Sequence, residues 1–305
     1  MLWLPLAFLS ALSLGFYDVF KKAAVRSNAV IPVLFLNTLF CSLLMLPLTA
    51  GSALGFIDTH SPLYSTPPTW EVHRYIFVKA CIVLLSWICG YYGIKRLPLT
   101  IAGPINGTRP VLTLVGAYLI YGERLNAWQT LGVALAVLSF YLLSRSGKKE
   151  GISFVSHRGV LLVVAAALLG AMSGLYDKYL LAPTSAGGIG LSRIDVQSYY
   201  NYYQCAMMSI VMLTLWWPMR HAKPLRWSWA IPLVALFLTL ADFAYFQALA
   251  SDGALISVVS MVRRGNVLVS FAIAAIVFRE KNLRSKSLDL LLVLLSLVCL
   301  WIGRE

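Results

Sequence analysis

The chain has 305 residues, 59% of them hydrophobic and only 12% charged, where a soluble domain carries about 25% charged residues. That deficit excludes an ordinary soluble domain and puts the chain in a bilayer. The net charge of +13 has no basic surface domain to carry it, so nucleic acid is excluded as a partner and the charge is read as cytoplasmic loops plus a few buried arginines.

Ten apolar segments follow in order. The first five are Leu2–Val25, Asn28–Ala50, Tyr75–Ile94, Leu97–Tyr121 and Ala127–Ser144. The second five are Val160–Leu181, Val196–Trp217, Trp229–Leu249, Ala254–Phe278 and Ser287–Ile302. Helices are expected throughout, because a lipid-exposed backbone must satisfy its own hydrogen bonds. Tryptophans such as Trp3, Trp70, Trp128, Trp229 and Trp301 mark segment ends as interfacial anchors. The first segment has neither a basic leader nor a small-residue cleavage site and is read as a retained helix. The longest connection runs from Gly51 to Arg74, so no separate soluble domain is expected. The five cysteines fall in apolar stretches without a CxxC pair and read as small buried hydrophobes. His60, His73, His157 and His221 are expected in loops and do not cluster, so no metal and no cofactor are expected.

Orientation follows from the loops. Lys21, Lys22 and Arg26, then Lys95 and Arg96, and later Arg279, Lys281 and Arg284 fall on one side, which the positive-inside rule makes cytoplasmic. Both termini then lie outside. The halves also repeat. LGFYDVF (Leu14 to Phe20) returns as SGLYDKY (Ser173 to Tyr179), aligning Asp18 with Asp177, and Glu123 aligns with Glu280. Five helices is an odd number, so the second repeat enters from the opposite side. The expected fold is an all-α integral membrane protein of ten transmembrane helices, two inverted five-helix repeats covering residues 1–149 and 150–305, with a site near the midplane.

The stretch from Gly90 to Leu143 resembles the first EamA domain of the drug/metabolite transporter superfamily. Lys95, Leu97, Pro98, Gly122, Glu123, Arg124, Leu125 and Gly132 match its pattern of a KxLP-like turn, GERL and a glycine-bearing fifth helix. The second half resembles it more loosely, through Glu280 and the helix beginning at Ala254. The resemblance implies the ten-helix fold and transport, and little about substrate. Many relatives have cytoplasmic termini, so the outward assignment departs from the usual pattern. Paired basic residues in the ninth helix are typical of plastid phosphate translocators and nucleotide-sugar transporters of the same superfamily, where they bind substrate phosphate. Here Arg263 and Arg264 stand in a similar place.

Intramembrane charge is costly and usually marks function. Arg109 lies midway along the fourth segment, as Arg263 and Arg264 do along the ninth, so the three can converge on one anion-binding cavity. Adjacent residues point about 100° apart on a helix. One of Arg263 and Arg264 is therefore expected to face the cavity and the other to pair with a carboxylate. Asp18, Asp177 and Asp242 are the available partners, as counter-ions or coupling groups, and Lys178 is a candidate partner for Asp177. Tyr199, Tyr203 and Gln204 of the seventh helix, Asn37 of the second and Asn106 of the fourth are read as further substrate-binding residues, with interfacial or interhelical roles as the plain alternatives. Ser260 and Thr108 could add hydrogen bonds. Glu123 and Glu280 read as helix-end caps.

The expected function is a secondary transporter for a small organic solute in the bacterial inner membrane, working by alternating access and favouring an anionic or phosphorylated metabolite. A proton-coupled exporter of amino acids or other metabolites is the alternative, and a phospholipid flippase or scramblase the next. No catalytic residue is expected, since HExxH, GxSxG and Walker motifs are missing and the two YD pairs are explained by duplication. The expected partners are the solute, membrane lipid and a second copy in a homodimer.

Overall fold

The computed structural model describes residues 3–61, 63–66, 68–112, 115, 126–148, 156–181, 184, 187–222, 224–250, 262–277 and 283–303. Among these residues there are α-helices and no strands. The helices are α1 (Trp3–Arg26), α2 (Val30–Ala53), α3 (Trp70–Arg96), α4 (Leu99–Gly107) and α5 (Ala127–Lys148), then α6 (Arg158–Leu181), α7 (Arg193–Val211), α8 (Ala230–Ala250), α9 (Asn266–Val277) and α10 (Leu283–Ile302). A π-helical turn, Met212–Trp216, and a 3-10 turn, Trp217–Met219, extend the end of α7.

Helices α1, α2, α3, α6 and α8 are long and apolar enough to cross a membrane, and α5 and α10 contain the shorter apolar stretches Ala127–Ser139 and Ser287–Cys299. Their outer faces stay greasy. Phe8 and Leu12 of α1, Leu43 and Leu46 of α2 and Ile276 of α9 are exposed, while the inner faces are buried. Apolar side chains on both faces belong to a membrane bundle, not to a soluble one. Helix α3 begins at Trp70, more than a turn before the expected Tyr75. Glu71 puts a carboxylate among the free N–H groups of the first turn, which favours starting there. His73, expected in a loop, therefore lies on α3.

The fourth apolar segment is interrupted. Helix α4 ends at Gly107, and the Thr108 N–H bonds the Ile105 carbonyl three residues back at 3.3 Å. Pro110 has no N–H to offer the Asn106 carbonyl, and helix resumes over 109–112. The ninth segment breaks the same way. Residues 262–264 form a helical turn, the Gly265 N–H bonds the Val262 carbonyl at 2.9 Å, and α9 starts at Asn266. Both breaks sit beside arginines, with Thr108 just before Arg109 and Gly265 just after Arg264.

Helix α1 packs along α8, and α3 along α6. Helix α2 lies on α7 and α8, and α7 lies on α2 and α3; α4 meets α6 and α9, α9 meets α1 and α4, and α5 packs on α10. Adding five to the smaller number of each of these pairs and subtracting five from the larger exchanges α1–α8 with α3–α6, α2–α8 with α3–α7 and α4–α6 with α1–α9, and returns α2–α7, α4–α9 and α5–α10 to themselves. The α1–α8 seam stacks Phe16 and Phe20 on Phe237, with ring centroids 5.2 and 5.4 Å apart. Helix α1 approaches α9 so closely that a Cβ on Gly15 would fall 2.5 Å from Val269 Cβ. Only glycine fits there. Two groups result, α1 with α8 and α9, and α3 with α6 and α4, which enclose the cavity between them.

Candidate functional site

A cavity of about 220 Å³ opens where the two groups face one another. Helical spacing builds its walls. Leu14, Tyr17, Asp18 and Lys21 recur at steps of three and four residues and bring one face of α1 to it. Lys79 and Val83 do the same from α3, Gly170 and Asp177 from α6, and Asp242 and Tyr245 from α8.

Three ion pairs stand in this wall. Lys21 Nζ donates to Asp18 Oδ1 at 2.8 Å, one turn away on the same helix. The other oxygen of Asp18 accepts from Asn266 Nδ2 at 3.0 Å, tying α1 to the start of α9. Lys79 pairs with Asp177, joining α3 to α6. Arg263 pairs with Asp242, joining the 262–264 turn to α8. Each cation also lies against a tyrosine ring: Lys21 4.2 Å from the Tyr17 centroid, Lys79 5.2 Å from Tyr200, and Arg263 4.2 Å from Tyr245. The ring faces add attraction in a site that water reaches poorly. The Tyr200 hydroxyl donates to the second oxygen of Asp242 at 3.2 Å.

The remaining cations are Arg109 and Arg264. Arg109 Nη2 donates to Asn106 Oδ1 at 3.2 Å. Its guanidinium lies against bare backbone, since a Cβ on Gly170 would come within 2.8 Å of Arg109 Cζ. Arg264 is half-buried, lines the cavity, and has no hydrogen-bond or ion-pair partner among the described residues. It lies within electrostatic reach of both Arg109 and Arg263. Five cationic side chains and three aspartates of the described residues thus line the cavity, an excess of two positive charges.

The structure brings Arg109, Arg263, Arg264, Asn106, Asp18, Asp177 and Asp242 to this one cavity. Arg263 and Arg264 both face it; the carboxylate partner of Arg263 lies in the wall itself. Four other residues read as substrate-binding lie elsewhere. Tyr199 and Tyr203 share a face of α7 that points at the first turn of α3, where Tyr203 is hydrogen-bonded to His73 Nδ1 at 2.7 Å and Tyr199 meets the same ring edge-on. Their neighbour Tyr200, about 100° around the helix, is the tyrosine that lines the cavity. Asn37 of α2 and Gln204 of α7 are fully buried and do not line the cavity. The partner of Asp177 is Lys79, and the Lys178 side chain lies outside the described residues, as do Ser260, Glu123 and Glu280.

Two lysines were missing from the sequence reading. Lys21, counted with the cytoplasmic loop, is 6% exposed and belongs to the cavity, because α1 runs on to Arg26 and leaves Lys21 more than a turn inside. Lys79 sits within the apolar run Ile76–Leu85 and was overlooked; a lysine among apolar neighbours is the same signal that singled out the arginines.

Bilayer-length helices packed around a charged internal cavity define a helical membrane protein. Residues 1–145 match the sequence model of the EamA-like transporter family. A Pseudomonas aeruginosa protein described as an uncharacterized transporter is 30% identical over 138 residues. That alignment spans 43% of this chain and 43% of the relative, so the chain matches less than half of the relative's length. Likeness of fold reaches further: a solved crystal structure matches with a TM-score of 0.62 at 14% identity, covering 98% of this chain and 96% of the other.

Proposed function

We propose that the protein is a secondary transporter for a small organic anion, a phosphorylated or carboxylated metabolite. The observation that carries this reading is Arg264, a cation in the cavity wall with no hydrogen-bond or ion-pair partner among the described residues, while each aspartate of the wall already holds another cation. A guanidinium presents a planar fork that matches carboxylate and phosphate. The cavity of about 220 Å³ suits a small metabolite, being smaller than the pockets of roughly 300–1,000 Å³ that hold drug-sized ligands.

Transport works by alternating access about two inverted five-helix repeats, residues 1–149 and 150–305. The helix-contact pattern, in which the most extensive pairings have a counterpart five numbers on, supports that architecture. Arg109 belongs to the α3–α4–α6 group, and Arg264 precedes α9 of the other. An anion held by both therefore draws the groups together, whereas the empty cavity holds like charges face to face. This favours exchange of one anion for another over return of the empty carrier. The protein works as an antiporter in the bacterial inner membrane, as a homodimer with both termini outside.

A proton-coupled exporter is the second reading. It rests on Asp177, whose side chain is 30% exposed and is the most open of the three aspartates. Its protonation would release Lys79.

The test is a thermal-shift panel on purified protein with sugar phosphates, dicarboxylates, neutral amino acids and amines, since a ligand that binds only the folded state raises the melting temperature. Stabilisation by dianions that is lost in Arg264→Ala is the expected result. Stabilisation by neutral or cationic solutes alone would overturn the anion reading.

A further inference from the structure

The interface of α2 and α7 holds polar side chains that the cavity does not use. Gln197, Asn201 and Gln204 recur at steps of four and three along one face of α7. That face meets α2, where Ser42 Oγ donates to the Asn201 carbonyl at 3.1 Å. Gln197 is 1% exposed, Asn201 2%, and both Gln204 and Asn37 of α2 0%. Yet both side-chain polar atoms of Gln197 and of Gln204 lack a hydrogen-bond partner among the described residues. So do Asn201 Oδ1, Asn37 Nδ2 and Ser198 Oγ. A dry, unpartnered amide is among the costliest things to bury. Buried polar atoms that no protein group satisfies are where internal water binds. Here such atoms are gathered along one seam.

We propose that the α2–α7 seam is a hydrated slip plane: ordered water bridges Asn37 to the carboxamides of Gln197, Asn201 and Gln204, and the two helix groups shift against each other across it. The position of the seam supports this. Helix α2 packs on α8 and α7 on α3, so the seam joins the two groups. Inside the groups the contacts are apolar, as in the Phe16–Phe20–Phe237 stack, or have their polar atoms paired, as where Ser10 Oγ donates to the Ala241 carbonyl and Ser86 Oγ to the Ala166 carbonyl. Direct bonds from the α2 side reach α7 at intervals along the seam: Ser65 Oγ donates to Asp195 at 2.7 Å, Ser42 Oγ to the Asn201 carbonyl at 3.1 Å, and Thr49 Oγ1 meets the Tyr202 hydroxyl at 2.7 Å. Between these points, water can exchange one carboxamide for the next as α7 moves. A metal cation is a poorer occupant, because no carboxylate is among the four bridging side chains and the neighbouring cavity carries excess positive charge. This inference does not depend on the solute being an anion.

The test uses the full-length protein in lipid nanodiscs. X-ray radiolytic footprinting in 18O-labelled water reads bound water next to Met208, which lies one turn beyond Gln204 and is 0% exposed. Labelling of Met208 in the unmodified protein is expected; a Met208 that takes up no label overturns the proposal. Gln197→Met and Gln204→Met are each expected to lower the melting temperature, and the double variant by less than their sum, because both remove partners from the same waters. An unchanged or higher melting temperature would mean the carboxamides are dry and would overturn it. Single-molecule fluorescence between labels on α2 and α7 reads the slip itself. The double variant should interconvert several-fold more slowly, and an unchanged rate would remove the slip-plane role.

Discussion

Arg263 and Arg264 are neighbours in the chain and both line the cavity, but only Arg263 has a carboxylate, that of Asp242. Removing either arginine therefore has a different consequence. Arg264→Ala strands no buried anion. It should leave the melting temperature of the unliganded protein nearly unchanged, while anion affinity falls about 10- to 150-fold, the range for losing one charged hydrogen bond of about 1.5–3 kcal/mol. Titration of both proteins with the stabilising anion checks this.

Arg263→Ala strands Asp242 in a wall that water reaches poorly. Breaking one side of a buried pair costs about 3–5 kcal/mol, so a clear fall in melting temperature is expected. Adding Asp242→Asn should recover much of it. A double-mutant cycle by thermal denaturation measures the coupling, and a cycle that closes with no coupling would contradict the pairing.

Gly170→Ala places a methyl where the Arg109 guanidinium lies, 2.8 Å from Cζ. The guanidinium must move, so anion affinity should fall. Gly174→Ala is the control, because a Cβ there meets nothing within 4 Å. Equal affinities for the two variants would show that Arg109 is not held against Gly170.

Asp177→Asn leaves Lys79 charged and nearly buried, its side chain 4% exposed, without its partner. The empty protein should melt lower than the wild type. The cavity then loses one negative charge, so the rise in melting temperature on adding a dianion should be larger than in the wild type. A smaller rise would instead support a coupling role for Asp177.

Phosphatase and fluorescent-protein fusions at the C-terminus test the orientation. An active phosphatase fusion and a dark fluorescent one are expected for a terminus outside the cell.

Much of this was legible in the chain. Apolar length located α1, α2, α3, α6 and α8, though not the early start of α3 or the breaks beside Arg109 and Arg264, and charge inside apolar segments picked out Arg109, Arg263, Arg264, Asp18, Asp177 and Asp242, all of which reach one cavity. What stayed hidden were rotations and partners. Tyr199, Tyr200 and Tyr203 look alike in sequence, and only the packing of α7 on α3 turns Tyr200 inward and the other two toward His73. Lys21 sits close enough to a helix end to read as a loop charge, and its burial follows from α1 continuing to Arg26. The orphan amides of Gln197 and Gln204 could not be foreseen either, because satisfaction of a side chain is a property of its neighbours.

The tight partnership of α1 with α8, and of α3 with α6, takes one helix from each half of the chain. Translation releases the first five helices before the mates of α1 and α3 exist. Those two helices must wait in the lipid, held apart from their final seams, until α6 and α8 emerge. A chain cut in the connection between α5 and α6 would give two fragments, neither able to complete its own core, each depending on the other for assembly.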